Sequence, residues 1–332
     1  MTVKFTRRRA LTVLAAAAGV PLFLTAKGAQ AKMARWEGTA LGAPASISLY
    51  HKDEAKAHAA IEAGLAELNR LEGIFSVYRA DTTLARLNRE GRVENVAPEF
   101  IELLAHALTL AEKSNGVYDP TIQPLWQAYF SHFTGVNPDP NGPAAGQIEA
   151  ARKLVDWRNV EVNAKTRSVV FAKPGMGLTL NSGAQGYITD RVADVLRAYG
   201  FTQMIVDMGE PRALDAKPDG SAWKIGIANP ANPAEAISEI DVVNKCVSTS
   251  GGYGTLFDDA GKFTHLIDPR TGKTAPALLG VSVVASTATV ADGLSAAMLL
   301  SDPAKRLPLL RAMGGEMALF VTPSGVVEKV EA

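Results

Sequence analysis

Polar and apolar residues alternate through Ala45-Ser-Ile-Ser-Leu-Tyr50, the period of a half-buried strand. The pattern then changes to helical spacing, with Ile61, Leu65, Leu68 and Leu71 on one face of Asp53–Glu72. A second helix is predicted over Pro98–Lys113, where Phe100, Leu103, Leu104, Ala107, Leu108 and Ala111 form the inward face. Proline at its start and Asn115-Gly116 past its end match the usual asymmetry of helix termini. Between these helices, Phe75–Asn88 leaves one helix, turns at Ala80-Asp81 and resumes helix with Thr82 or Asp81 as cap.

Residues 134–147, dense in Pro, Gly and Asn, read as a surface loop. Val160–Asn163 and Ser168–Ala172 then form a hairpin, and a helix over Ile188–Tyr199 ends at Gly200 and feeds a strand at Gln203–Asp207. Further strands are predicted at Trp223–Ala228, Ile237–Val243, Cys246–Thr249, Phe263–Ile267, Val281–Ala285 and Met317–Thr322, with helices over Thr289–Leu300 and Pro303–Met313 between the last of them. Hairpins mixed with helices predict an α+β fold, with mixed or antiparallel sheets and packed helices, over a doubly wound parallel sheet.

The amino terminus changes the picture of where the chain works. Thr6-Arg7-Arg8-Arg9-Ala10-Leu11 precedes an apolar run to Leu24, and Ala29-Gln30-Ala31 has the small-x-small form of a cleavage site. The reading is a twin-arginine export signal over residues 1–31, followed by a single domain over 32–332 in the periplasm. Removing the signal takes away Lys4, Arg7, Arg8, Arg9 and Lys27 and no acidic residue, so the formal charge falls from +0 to −5. No basic face remains for nucleic acid. Cys246 is the only cysteine, so no intramolecular disulfide can form.

Several segments carry chemistry. Phe263-Thr-His-Leu-Ile-Asp-Pro-Arg-Thr-Gly272 sets an imidazole, a carboxylate and a guanidinium beside a turn, so that His265 is either a strand residue or a catalyst. Leu178–Tyr187 runs through small residues into a helix whose first amides could face a pyrophosphate, or is simply a tight connection. Tyr78 could offer a flat face to a ring or pack in the core, and Gly116-Val-Tyr-Asp-Pro-Thr121 is explained by a turn alone. Asp292 sits in the first turn of an apolar helix with Ser295 and Ala296 on its face; it either complements the helix dipole or holds a hard cation such as magnesium. HExxH, CxxC, GxSxG and GxGxxG are absent, so zinc, serine-hydrolase and dinucleotide-fold readings lack support.

Taken in order, Leu41-Gly-Ala43, the Tyr78 segment, Gly116–Thr121, Asn181–Tyr187 with Asp190-Arg191, Ser250-Gly251, His265–Gly272 and Ala291-Asp292 resemble the ApbE family of FAD:protein FMN transferases, across essentially the whole chain after residue 31. The wording is most similar to the NosX branch, associated with nitrous oxide reductase maturation in denitrification. The resemblance implies an ApbE-like, T-fold-type architecture and an enzyme that cleaves the FAD pyrophosphate. It would attach FMN to a Ser or Thr of a Ser/Thr-Gly-Ala-Ser/Thr acceptor, such as a NosR-like membrane flavoprotein, and release AMP, using magnesium.

By position, the resemblance assigns His265 and Asp268 to catalysis. It assigns Leu41, Tyr78, Val117, Tyr118, Asp119, Thr179, Gln185 and Ile267 to FAD, and Ser182, Asp292, Ser295 and Ala296 to the metal. The chain departs from the family at Leu41-Gly42-Ala43 for Met-Gly-Thr, Thr179 for an acid, Gln185 for Lys or Glu, Ala296 for Thr and Gly209-Glu210 for Gly-Gly. Those departures leave open a non-catalytic FAD-binding donor and an FAD pyrophosphatase giving FMN and AMP.

Overall fold

The protein is described by a computed structural model covering residues 22–24, 32–275, 279–322 and 324–332. The Arg7–Arg9 run and Ala29-Gln30-Ala31 lie outside these residues. In chain order the elements are β1 (Leu22–Leu24), β2 (Lys32–Ala40), β3 (Ala43–His51), α1 (Glu54–Phe75), α2 (Thr83–Glu90), β4 (Arg92–Val93), α3 (Pro98–Lys113), α4 (Gln123–Phe133) and α5 (Ala145–Arg152). They continue with β5 (Val160–Asn163), β6 (Ser168–Phe171), α6 (Asn181–Ala198), β7 (Met204–Asp207), β8 (Pro211–Leu214), β9 (Trp223–Asn229), β10 (Asn232–Val242) and β11 (Lys245–Gly251). Last come β12 (Gly280–Ala285), α7 (Ala288–Leu299), α8 (Pro303–Ala312), β13 (Gly315–Val321) and β14 (Val327–Glu331).

Among the described residues, nine strands form one sheet in the order β1-β2-β3-β7-β8-β11-β12-β13-β14, and every neighbouring pair is antiparallel. Its centre is buried on both faces. Along β12, Val281, Val283 and Ala285 join the cluster under α7, whereas Val284 packs on the opposite side with Trp223, Ile225 and Ile227 of the β9–β10 ribbon. That is the two-residue period of a strand covered on both sides. Helices α1 and α6 cover the β2–β3–β7 end, with Ile47, Leu49, Ile61, Leu68, Val192 and Leu196 in one core. The fold is α+β.

Local signals account for most of these elements. Thr82 caps α2 by accepting the Ala85 amide at 3.0 Å, and Asp53 caps α1 by accepting from Lys56 at 3.0 Å. Two expectations change. Phe263–Ile267 is not a strand of any sheet: it holds single bridges, Leu256 to Thr264 and Ile267 to Thr274. Its polar backbone is spent on a local loop, with the His265 amide donating to Thr255 O (3.0 Å) and Ala275 donating to Leu266 O (2.7 Å). Second, α6 starts at Asn181 and not at Ile188, and it carries a break at Ser182 (φ −85°, ψ 68°) and Gly183 (φ 155°).

Candidate functional site

A cleft opens between the break in α6, the turn before α4, the His265 loop and the C-terminal half of α7. Nine of the residues singled out from sequence line it: Tyr78, Val117, Tyr118, Asp119, Thr179, Ser182, His265, Ile267 and Ala296. They come from five separate stretches of chain. Only the packing of α6 against α7 and of the loops around them brings these stretches together.

His265 is held by its neighbours in one tautomer. Its Nδ1 lies 3.1 Å from the Thr255 carbonyl, which can only accept, so Nδ1 carries the hydrogen and Nε2 keeps its lone pair. Burial lowers the pKa of the ring below the ordinary value of 6.5, against a smaller opposing effect of the Thr255 carbonyl. The imidazole is therefore neutral at pH 7 and has a free basic nitrogen in the wall of the cleft. Gly254 packs beneath it; a Cβ there would lie 3.4 Å from His265 Cε1.

The Asp268 carboxylate, expected to be catalytic, is engaged within its own turn. Its carboxylate accepts the Arg270 amide (2.9 Å) and both Nε and Nη2 of the Arg270 guanidinium (2.9 and 2.8 Å), and its carbonyl accepts from Gly272 (2.7 Å). It does not line the cleft; it closes the Asp-Pro-Arg-Thr-Gly turn that follows Ile267. Asp119 is likewise consumed locally, accepting from the Thr121 amide (2.8 Å), the Thr121 hydroxyl (2.7 Å) and the Trp157 amide (3.1 Å). It shapes the turn that presents Tyr118.

Two other expected FAD contacts stand away from the cleft lining. Leu41 is at the tip of the β2–β3 hairpin (φ 46°), its amide bound to Glu72 Oε1 at 2.6 Å. Gln185 lies against the backbone of Gly209 (φ 106°), where a Cβ would come within 2.4 Å of Gln185 Nε2. The positive φ favours glycine there, and a larger residue would also push the Gln185 amide aside.

The break in α6 creates the second half of the site. In a regular helix the Gly186 amide would donate to the Ser182 carbonyl. Here it donates to Asp292 Oδ2 at 3.0 Å, and the Gly183 amide donates to the same carboxylate. The Ser182 carbonyl is left facing the Tyr118 hydroxyl at 3.4 Å, close to Gly293. The two helices are tied a second time by Asp190, which accepts from the Ala288 and Thr289 amides (both 2.9 Å), the Thr289 hydroxyl (2.7 Å) and Arg212 (2.7 Å). Gly186 permits the approach, since a Cβ there would meet Ala288 O at 2.3 Å.

Asp292 is 4% exposed and has no Lys or Arg partner among the described residues. Desolvation pushes its pKa up to about 7. Glu210 adds to the strain: it is buried, accepts from the Ser248 hydroxyl and the Thr249 amide, and burial together with the nearby Asp292 charge raises its pKa well above the usual carboxylate range. Ser295 Oγ lies between these groups, donating to Asp292 O (2.9 Å) and facing Ser250 Oγ (2.7 Å) and Ser248 Oγ (3.4 Å). Ala296 presents only a methyl group to the cleft.

No cluster of three or more His, Cys, Asp and Glu able to hold a metal occurs among the described residues. A freed carbonyl and a buried carboxylate without a cation nevertheless suit a hard ion that takes its other ligands from phosphate and water.

The sequence reading passed over Gln123 and Trp126 and gave Asn181, within the Leu178–Tyr187 segment, no part of its own; all three are in the lining. Asn181 Nδ2 donates to the Tyr78 hydroxyl at 3.1 Å, which fixes that ring at the rim. The run Pro124-Leu-Trp-Gln-Ala-Tyr-Phe130 behind Thr121 was the available signal for a helix there.

Comparison with known proteins gives a consistent result. The sequence model of the ApbE family matches residues 41–320. A FAD:protein FMN transferase of Treponema pallidum (strain Nichols) is 29% identical over 322 residues, covering 87% of this chain and 86% of that protein. One from Haemophilus influenzae is 29% identical, covering 82% and 81%. Among solved structures, the apo flavinyl transferase ApbE of Pseudomonas stutzeri superposes with a TM-score of 0.77 at 29% identity, covering 91% of this chain and 95% of that one. The apbe protein of Thermotoga maritima gives 0.78 at 27% identity, covering 90% and 97%.

Proposed function

The chain belongs to the ApbE family, and from that premise we propose that it is a FAD:protein FMN transferase that works through the cleft lined by His265, Tyr118 and Ser182. The observation that carries this reading is the neutral His265, with Nδ1 engaged by a carbonyl and Nε2 free in the cleft wall. A Ser or Thr hydroxyl of the acceptor attacks the FMN-side phosphorus, the bond from that phosphorus to the bridging oxygen breaks, and AMP leaves. His265 takes the hydroxyl proton, the part of a positioned general base.

Asp292 and the Ser182 carbonyl would hold the magnesium ion, with Ser295 beside them and Ala296 contributing no side-chain oxygen. When bound, the ion supplies positive charge for the pyrophosphate oxygens, where phosphoryl transfer gains most. The chain's own contribution is to orient the FMN phosphate, to keep water out with the apolar walls and to hold the base.

The finer reading places the mature protein in the periplasm after export by the twin-arginine translocase, acting on a NosR-like membrane flavoprotein in nitrous oxide reductase maturation. The Arg7-Arg8-Arg9 run, the Ala29-Gln30-Ala31 site and the NosX-like wording of Ala184–Asp190 support it. Incubation of the protein with FAD, magnesium and a protein bearing a Ser/Thr-Gly-Ala-Ser/Thr segment is expected to give a mass increase of one FMN phosphoester, together with AMP. FMN released freely at the same rate with and without acceptor would replace this reading with a pyrophosphatase. FAD bound tightly with no AMP formed would replace it with a flavin donor.

A further inference from the structure

His265 needs its hydrogen on Nδ1 to act as a base, because only then does Nε2 keep the lone pair that takes a proton. An imidazole free in water prefers the opposite tautomer. The base therefore depends on whatever fixes the Thr255 carbonyl, and Thr255 stands outside the cleft lining.

A short hairpin joins Thr255 to His265. Within it Leu256 bridges Thr264, and the Phe257 amide donates to Phe263 O at 2.9 Å. On the far side of that bridge the His265 amide donates to Thr255 O (3.0 Å), so one carbonyl oxygen accepts both the backbone and the ring hydrogen of His265. Where Thr255 O stands is thus set by the register of the hairpin.

A regular antiparallel pair would exchange two hydrogen bonds between Phe257 and Phe263. Here the Phe263 amide donates instead to Asp258 Oδ1 at 2.7 Å, and the Lys262 amide donates to Asp258 Oδ2 at 3.2 Å. Gly261, at φ 69° and with its amide on Asp258 O (3.3 Å), completes the turn. Both oxygens of one half-buried carboxylate therefore close the loop whose other end carries Thr255 O. The exposed Asp259 beside it makes no such bond among the described residues.

The hairpin has a second attachment, through its rings. Phe257 stacks on Tyr129 of α4 at 5.6 Å, and Phe263 lies 5.1 Å from Phe133. These contacts keep the hairpin on the fold without the carboxylate. Packed rings tolerate small shifts, whereas a charge-assisted hydrogen bond holds its donor at one place, so the carboxylate sets the finer position.

Resting on the transferase reading, we infer that Asp258 is a positioning residue for the general base: its carboxylate fixes the hairpin that holds Thr255 O against His265 Nδ1, and so keeps Nε2 free to take the acceptor's proton. Asp258 does not line the cleft, and its effect on the reaction runs through the tautomer of His265.

Nitrogen NMR of the histidine rings at pH 8, where burial keeps the His265 ring neutral, reads the tautomer directly and needs no turnover. Loss of a signal in His265→Ala identifies it among the five histidines. The unaltered protein is expected to carry the hydrogen on Nδ1. In Asp258→Ala the Nε2–H form is expected to appear and kcat for FMN transfer to fall about tenfold, part of the about 10²–10⁴-fold that a general base supplies, with KM for FAD within about twofold. Asp258→Asn, whose oxygen still accepts the Phe263 amide, is expected to keep the Nδ1–H form and a kcat within about threefold, and Asp259→Ala to change neither.

A folded Asp258→Ala that keeps the Nδ1–H form overturns the inference whatever its rate, and so does an Asp258→Asn as impaired as the alanine variant. If Asp258→Ala does not fold, Asp258→Ser decides, since its hydroxyl reaches at most one of the two amides: emergence of the Nε2–H form supports the inference, and an unchanged tautomer overturns it. Absence of FMN transfer from an unaltered protein that shows the Nδ1–H form removes the transferase reading and leaves the hold of the hairpin on His265 standing.

Discussion

Replacing Asp292 with Asn should make the protein more stable at pH 8 while abolishing its response to magnesium. The carboxylate is buried, its pKa is raised from 3.8 to about 7 chiefly by desolvation, and no Lys or Arg offsets it among the described residues. A carboxylate whose folded pKa lies above its unfolded value binds its proton more tightly in the native state. Stability is therefore full below about pH 4, falls as pH rises between about 4 and 7, and is flat above. A shift of about three units at about 1.36 kcal/mol each sets the loss from Asp292 at no more than about 4 kcal/mol.

The Asn side chain keeps an oxygen to accept from Gly183 and Gly186 but brings amide hydrogens into a site of carboxylate neighbours, which costs about 1–2 kcal/mol if they go unpaired. The net gain at pH 8 is about 2 kcal/mol. Urea unfolding in EDTA at pH 5 and pH 8 measures it: the unaltered protein loses stability between the two, and Asp292→Asn loses less. A slope remains in the variant because Asp207, raised to about 6 by burial, and Glu210 titrate in the same region. Replacing EDTA with magnesium at about a hundred times its dissociation constant should restore about 2.7 kcal/mol to the unaltered protein and nothing to the variant. An Asp292→Asn protein that is weaker at both pH values, with an undiminished slope, would refute the account of Asp292 as a strained, uncompensated charge.

Three further changes probe the remaining parts. His265→Ala should slow FMN transfer by about 10²–10⁴-fold with FAD binding retained; because burial lowers the pKa of His265, the acid limb of the unaltered enzyme's rate should fall below pH 6.5, and a limb above it would contradict the assignment. Asp268→Ala removes the Arg270 pairing and should cost about 1 kcal/mol of stability, discounted because Arg270 is largely solvated, with a far smaller effect on rate than His265→Ala. Equal rate losses in two folded, FAD-binding variants would return Asp268 to a catalytic part. Gly186→Ala drives a Cβ to within 2.3 Å of Ala288 O, a backbone atom that cannot swing aside, and should cost about 3 kcal/mol in thermal or urea unfolding, the upper end for overpacking; a cost below about 1 kcal/mol would mean that α6 and α7 are not locked at that contact.

The elements were legible wherever their signal is local. Pro98–Lys113 and Val160–Asn163 have the observed bounds, because a helix start at proline, a stop at Asn-Gly and a two-residue alternation each depend on residues a few positions apart. Strand β2 and helix α4 were passed over. Each is fixed by what it packs on, β2 by full pairing with β3 and α4 by the rings of Phe257 and Phe263. The Phe263–Ile267 segment alternates like a strand yet has no ladder to join, since its backbone groups bond within its own loop.

The sequence by itself determined the α+β class, many of the helices and strands, the family and most of the residue types that meet in the cleft. Only the tertiary structure decided their parts. It gave Asp268 and Asp119 to turns, set His265 in its basic tautomer through a carbonyl ten residues away, moved Gln185 onto Gly209, brought Glu210 into the field of Asp292 and turned Trp126 into the cleft. Chain order carries the short-range preferences of backbone and side chain. Burial, the charge felt by a buried group and the partner of a given nitrogen or oxygen depend on segments distant in sequence, and those are fixed only when α6, α7 and the loops pack together.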